Sequence, residues 1–137
     1  MPEYISKSLA LAIHEDLIRS YGGSTGLRDE GRLEAVLASP QASFAGQELY
    51  PTPAAKAAAT PAAKAAAYLV GMARGHPFVD GNKRTAFALA DTFLRLNGWR
   101  LTMTNADLFE LVLAAARGEL DTAGVAAVFE RASERVS

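Results

Sequence analysis

Apolar residues recur at helical spacing along most of the chain, and glycine or proline interrupts the pattern at intervals. The first apolar stripe repeats every four residues and consists of Leu9, Ile13, Leu17 and Tyr21. It predicts a helix with one buried face that begins after Ser6 or Ser8 and ends at the glycine pair 22–23. Asp29 is a suitable N-cap for a second, shorter helix that Pro40 closes.

Residues 52–67 consist of the octapeptide Thr-Pro-Ala-Ala-Lys-Ala-Ala-Ala written twice without change. Each copy opens with a Thr-Pro pair, a common helix start, and continues with strong helix formers. Two copies are too few for a solenoid, in which several repeats stack. We predict that the second copy begins a helix at Pro61 that runs to Arg74. The first copy is then an extra helical turn or a mobile insertion, with Pro61 kinking or breaking the join.

After residue 82 the pattern is apolar almost all round the helix, which is typical of a helix buried on most of its surface. We predict that this helix lies at the centre of the protein and ends at residues 97–98. Thr104 with Asp107 resembles a capping box for the next helix, and Asp121 can cap the last one. These elements predict an all-α fold, a compact bundle of about six helices around one buried central helix.

The composition is that of an ordinary soluble globular protein, and we expect a single domain over residues 1–137. With 14 basic against 15 acidic side chains, the chain lacks the basic excess of general nucleic-acid or membrane-surface binders. The absence of cysteine excludes disulfides and thiolate metal sites. No leader-like segment and no apolar run of membrane-spanning length is visible, so we expect a cytoplasmic location.

Residues 76–85 read His-Pro-Phe-Val-Asp-Gly-Asn-Lys-Arg-Thr and carry a base, a carboxylate and two cations within ten positions. Gly75 and Pro77 keep His76 out of helical geometry, so this motif is predicted to be a loop. If Asn82 caps the helix that follows, the free N–H groups of the first turn and the helix dipole face the loop. Such an arrangement favours an anion, and we predict a phosphate site.

Individual residues of the motif fit that chemistry. Gly81 lets the backbone approach an anion closely, while Lys83 and Arg84 lie in the first helical turn, where they can reach phosphate oxygens. Asp80 can supply the carboxylate that a magnesium ion requires beside phosphate oxygens and water. His76 is the one base of the loop with a pKa normally near neutrality, and it could accept a proton from an attacking hydroxyl. Phe78 is expected to bury its ring and hold the loop to the core.

Each of these residues also has a purely structural interpretation. A single histidine is more often a hydrogen-bonded structural residue than a catalyst, and a Lys-Arg pair at a helix start is more often solvated. No packing requirement, however, explains so many consecutive polar groups beside the core. P-loop and Rossmann fingerprints are absent. The other histidine, His14, lacks the second histidine of a zinc protease and is interpreted as a residue on a helix face.

The segment from His76 to Arg84 resembles the signature loop of the Fic/Doc family, specifically its Doc (death-on-curing) toxin branch. Similarity extends to residues 14–18, 26–31, 40–44 and 96–98, whereas the duplicated octapeptide departs from the family. The resemblance implies the toxin of a toxin-antitoxin pair, restrained by a separate Phd-like antitoxin. It implies a Doc-like protein kinase that transfers the γ-phosphate of ATP to a threonine of elongation factor Tu and so blocks translation, without direct nucleic-acid or membrane binding.

The resemblance also implies roles by position. His76 would be the base that activates the target threonine, and Asp80 would be the magnesium ligand. Gly81 would shape the anion site. Asn82, Lys83 and Arg84 would hold the phosphates of ATP, with Lys83 and Arg84 also acting in catalysis.

Two other functions remain open at this point. Fic enzymes that carry glycine where this chain has Lys83 usually transfer AMP, so an AMP-transferase is one alternative. A catalytically inactive protein that binds its antitoxin as a co-repressor is the other. Many Fic enzymes are silenced by a glutamate that follows a serine or threonine. Glu30 matches that glutamate but Gly26 replaces the hydroxyl residue, so no internal inhibitor is evident.

Overall fold

Four of the six helices of the described residues begin where the capping signals of the sequence predict them. In the computed structural model, which describes residues 2–44, 47–48 and 61–136, the helices are α1 (Lys7–Tyr21), α2 (Glu30–Ala38), α3 (Ala62–Gly75), α4 (Asn82–Leu96), α5 (Asn105–Ala116) and α6 (Thr122–Arg131). Ser6, Asp29, Thr104 and Asp121 each accept a hydrogen bond from the backbone N–H three residues further on, at 2.8 to 3.1 Å. These four N-caps confirm the predicted starts of α1, α2, α5 and α6.

Strands contribute little to the described part of the chain. β1 (Ser43–Phe44) pairs with β2 (Gln47–Glu48), and β3 (Trp99–Leu101) pairs with β4 (Ser133–Arg135), both antiparallel. The second pair brings the charged C-terminal segment back beside the end of α4. The predicted all-α fold of about six helices is therefore confirmed, with short strands as additions. None of the helices in the described ranges combines the length and the apolar character needed to cross a membrane.

The central helix is α3, not α4, and the prediction on this point is wrong. Most of the 14 residues of α3 are buried, and the helix packs against α2, α4, α5 and α6. Helix α4 instead buries one face, while Lys83, Arg84, Arg95 and Leu96 at its two ends are exposed. An alanine-rich segment shows little hydrophobic contrast in the sequence, but its small side chains let four neighbouring helices approach it closely.

The second copy of the octapeptide forms the first turns of α3, as predicted to within one residue. Ala62, Ala65, Ala66 and Ala67 are all buried. Lys64 is buried as well, and its Nζ donates a hydrogen bond to the carbonyl oxygen of Pro40 at 2.9 Å. That contact ties the start of α3 to the short 3-10 turn (Ser39–Gln41) after α2. The prediction for the first copy, residues 52–59, lies outside the described residues.

A different face of α1 is buried from the one that its leucine and isoleucine spacing predicts. The residues of α1 that are buried are Ala10, His14 and Ile18, while Tyr21 is 65% exposed. This face is offset by one residue from the predicted stripe. The stripe residues Leu9 and Ile13 are half-buried at the edge of the core. The offset matters because it turns His14 toward the segment between α3 and α4.

Candidate functional site

The segment that joins α3 to α4 is held by the segment that joins α1 to α2. The carbonyl oxygen of Pro77 accepts hydrogen bonds from the backbone N–H groups of Arg28 and Asp29, at 2.8 and 2.9 Å. The Val79 N–H donates to the carbonyl oxygen of Gly26 at 3.0 Å. These bonds form a minimal antiparallel bridge between residues 26–29 and 77–79. The motif loop therefore has a backbone conformation that a second segment of the chain fixes.

Asn82 is the first residue of α4 and not its N-cap, so that prediction is corrected. The N-cap is Gly81, in the left-handed conformation with φ +77° and with no side-chain cap. The Asn82 side chain turns back into the loop, where Oδ1 accepts from the N–H of Phe78 and Nδ2 donates to its carbonyl oxygen, both at 3.0 Å. The amide thus satisfies both backbone groups of one buried residue, which closes the loop onto the start of the helix.

Gly81 is required by conformation and by space. Its φ of +77° is unfavourable for residues with a side chain. A Cβ atom at this position would lie 3.1 Å from Cδ1 of Ile18 and 3.6 Å from Nε2 of His14. Because residue 81 carries no side chain, it does not obstruct the approach of an anion to the first turn of α4.

His14 is the principal site residue that the sequence analysis missed. Its ring is 4% exposed and lies parallel to the Phe78 ring, with an interplanar angle of 4° and 3.7 Å between ring centroids. Its Nε2 lies 2.8 Å from the backbone carbonyl oxygen of Asp80. As predicted, Phe78 is buried, and His14 covers one face of its ring. The similarity of residues 14–18 to the family was a sequence signal that the segment matters, but it did not indicate this role.

The charged form of the Asp80 carboxylate is stabilised by its surroundings. Its Oδ2 accepts a hydrogen bond from the N–H of Ser24 at 3.2 Å, and its Oδ1 accepts one from the N–H of Gly81 at 2.8 Å. These two bonds, with a smaller contribution from Arg84, lower the pKa of Asp80 below its ordinary value. A Cβ on Gly23 would lie 2.7 Å from Oδ2, so glycine at position 23 is what allows the backbone to come this close.

The six residues predicted for the site lie on one cavity of about 380 Å³. It is lined by His76, Val79, Asp80, Gly81, Asn82, Lys83, Arg84 and Phe109. The structure therefore brings together the base, the carboxylate and both cations of the motif. Phe109 lies on α5. Its position in the helical pattern of the sequence does not distinguish it from the core residues beside it.

His76 reaches this cavity through an unusual backbone conformation. It is the C-cap of α3 and has φ +49° and ψ +51°, in the left-handed region. Within the described residues it is the one non-glycine residue with positive φ. This conformation is costly for most side chains and tends to occur where a site requires it. His76 is half-buried and lines the cavity, and among the described residues its ring has no hydrogen-bond partner.

The two cations differ in their surroundings. The Arg84 guanidinium lies over the ring of Tyr21, 4.8 Å from the centroid, and this cation–π contact restrains its position. Lys83 is exposed and forms no ion pair with any described residue. Glu30, at the position of an inhibitory glutamate, is paired instead with Lys7, a contact that does not involve Arg84.

Comparison with known proteins agrees with this geometry. A profile of the Fic/DOC family matches residues 4–94. The protein kinase doc of Escherichia phage P1 is 39% identical over 128 residues, which cover 93% of this chain and 94% of that protein. The toxin Doc of Mycolicibacterium smegmatis (strain ATCC 700084 / mc(2)155) is 41% identical over 105 residues, which cover 74% of this chain and 69% of that protein.

The chain belongs to the Fic/Doc family. The motif at residues 76–84 had predicted this membership, and it is confirmed. The prediction of an enzyme of the Doc-like protein kinase class is likewise confirmed by the relatives that the chain matches over most of its length.

Proposed function

We propose that this protein is the toxin of a toxin-antitoxin pair and transfers the γ-phosphate of ATP to a threonine of elongation factor Tu, which blocks translation. The observation that carries the proposal is the common cavity of His76, Asp80, Lys83 and Arg84. The names of two relatives, a protein kinase and a toxin, support phosphoryl transfer to a protein and a toxin role. A Phd-like antitoxin is the partner that the toxin role requires.

Transfer of a phosphoryl group needs positioning and charge stabilisation more than covalent chemistry. In the proposed reaction the threonine hydroxyl oxygen forms a bond to the γ-phosphorus. The hydroxyl proton passes to a ring nitrogen of His76. The bond from the γ-phosphorus to the β,γ-bridging oxygen breaks, and ADP departs with the electron pair. Lys83, Arg84 and the N–H groups that follow Gly81 offset the negative charge on the phosphoryl oxygens.

The donor set fits a magnesium ion. Asp80 supplies an exposed, charged carboxylate on the cavity, and each of its oxygens has one protein hydrogen bond and a further lone pair. Among the described residues, no three acidic or histidine side chains cluster as a protein-only metal site. One carboxylate together with phosphate oxygens and water is the usual coordination of magnesium beside a nucleotide. Bound there through Asp80, the ion would neutralise phosphate charge.

The target hydroxyl and the nucleotide can be tested together by isotope labelling. Purified protein is incubated with elongation factor Tu and either γ-labelled or α-labelled ATP, and label on the factor is measured. We expect transfer from the γ position in the wild type and none in His76→Ala, with both proteins folded by circular dichroism. Label transferred only from the α position would replace the kinase by an AMP-transferase.

Expression in cells separates an enzyme from a protein that acts only by binding its antitoxin. We expect growth arrest with the wild type and normal growth with His76→Ala. Arrest that persists unchanged in His76→Ala would exclude His76 as the base. Co-expression of the antitoxin should restore growth of the wild type.

A further inference from the structure

The cavity has one wall that the motif does not supply. Seven of its lining residues lie between positions 76 and 84, and the eighth is Phe109 on α5. The motif wall is mainly polar, with His76, Asp80, Lys83 and Arg84. Phe109 adds the one phenyl ring among the lining residues of this cavity. The polar and apolar parts of a ligand would therefore meet different elements of the fold.

Phe109 is an exposed aromatic residue on α5, beside apolar residues of the same helix that are buried. The residue is 43% exposed, whereas Leu108, Leu111 and Val112 of the same helix are buried. Large apolar side chains are usually buried, so one that remains accessible beside a polar site indicates a possible contact with a ligand. Burying the remaining surface of the ring against a flat apolar group would be favourable.

The size of the cavity favours a small molecule over a protein segment as the occupant of this wall. A volume of about 380 Å³ lies within the range of small-molecule sites, about 300–1,000 Å³. Such sites combine apolar and aromatic walls with a few polar groups that orient the ligand. A nucleotide has this division, because its phosphates are anionic and its base presents a flat π face.

We propose that Phe109 is a base-stacking residue: its ring packs on the base of the nucleotide whose phosphates lie at Lys83 and Arg84. The inference rests on the proposed function in taking ATP as the ligand. It adds that nucleotide affinity depends on a residue of α5, outside the family motif. Stacking on a ring recognises any base with a π face, so Phe109 contributes affinity and not a choice among bases.

Two ligands separate base stacking from phosphate binding. The dissociation constants of ATP and of inorganic tripolyphosphate, each with magnesium, are measured by calorimetry for the wild type, Phe109→Ala and Phe109→Trp. Leu96→Ala is the matched control, because Leu96 is 44% exposed and does not line the cavity. We expect Phe109→Ala to weaken ATP about tenfold and tripolyphosphate less than twofold. Phe109→Trp should retain ATP affinity, and Leu96→Ala should change neither ligand.

The outcomes are distinct from those of the kinase assay. Equal weakening of both ligands in Phe109→Ala would mean that the ring shapes the phosphate site, and unchanged ATP affinity would mean that it contacts something other than the base. Either result overturns the stacking role while leaving γ-phosphate transfer intact. If ATP alone weakens in Phe109→Ala but no γ-phosphate is transferred by the wild type, the stacking role stands and the kinase proposal fails. A failure of ATP to bind the wild type would overturn both.

Discussion

The Nε2 atom of His14 lies 2.8 Å from the backbone carbonyl oxygen of Asp80, 66 residues further along the chain. His14 lies in α1 and Asp80 lies in the motif loop, so the two residues are far apart in the sequence. Because the Asp80 side chain faces the cavity, a hydrogen bond to its backbone fixes the point from which that carboxylate projects. Helix α1 is therefore part of the site, although none of its side chains lines the cavity.

Replacing His14 by phenylalanine should preserve the stack on Phe78 and remove only the hydrogen bond to Asp80. This hydrogen bond is part-buried, and its loss should destabilise the fold by about 0.5–1.5 kcal/mol. We expect phosphoryl transfer to fall about tenfold, with the protein still folded at 25 °C. His14→Gln, whose amide can donate to the same carbonyl, should recover most of the activity. Wild-type transfer by His14→Phe would show that the contact has no influence on the site.

The substitution Asn82→Asp tests whether the Asn82 amide stabilises the loop. Asn82→Asp can still accept from the N–H of Phe78 but cannot donate to the Phe78 carbonyl oxygen. The carboxylate at position 82 loses the hydrogen bond to the Phe78 carbonyl oxygen and repels that oxygen. The free energy of unfolding in urea titrations should therefore fall by about 1–3 kcal/mol. Asn105→Asp makes the same change at the exposed first position of α5, where an effect within about 0.5 kcal/mol is expected. Equal effects of the two substitutions would contradict the bracing role.

In the proposed function, the choice of transferred group depends on Lys83. Lys83→Gly removes a cation from the cavity and opens space there, so γ-phosphate transfer to elongation factor Tu should fall by at least about tenfold. Lys83→Ala controls for the lower helix propensity of glycine, and Lys83→Arg retains the charge. Rates are compared with γ-labelled ATP in all four proteins. Unchanged transfer by Lys83→Gly would show that the lysine does not determine how the phosphates bind.

Ionisation of the Tyr68 phenol is expected to lower the stability of the fold at alkaline pH. Burial raises the pKa of its phenol from 10.0 to about 12, and its oxygen accepts a hydrogen bond from the N–H of Ile5 at 3.0 Å. Because the folded pKa lies above the unfolded one, this contribution is complete below pH 10.0 and is lost as the pH rises toward about 12. Denaturant titrations should show that loss in the wild type.

In Tyr68→Phe the alkaline loss of stability should be smaller, since no phenol ionises. At neutral pH the same variant should be about 1–3 kcal/mol less stable, because the Ile5 N–H loses its acceptor. The two stability curves should therefore converge above pH 10. Tyr21→Phe removes a phenol that is 65% exposed and should leave the alkaline profile unchanged. Parallel curves for Tyr68→Phe and the wild type would rule out Tyr68 as the titrating group.

By itself, the sequence determined the features that depend on residues close together in the chain. The caps at Ser6, Asp29, Thr104 and Asp121 each satisfy a backbone N–H three residues away, so their side chains and spacing are sufficient evidence. The second octapeptide likewise contains its own helix start. The motif at residues 76–84 predicted both the loop and the family, because its residues are contiguous.

Only the tertiary structure decided which surfaces meet. Hydrophobic periodicity marked α4 as the central helix, but small alanine side chains let α3 pack closely against four helices. The bond from His14 to Asp80 and the approach of Phe109 to the cavity both depend on how the helices pack. Both join segments that are far apart in the sequence, and no local pattern of residues encodes which segments will adjoin.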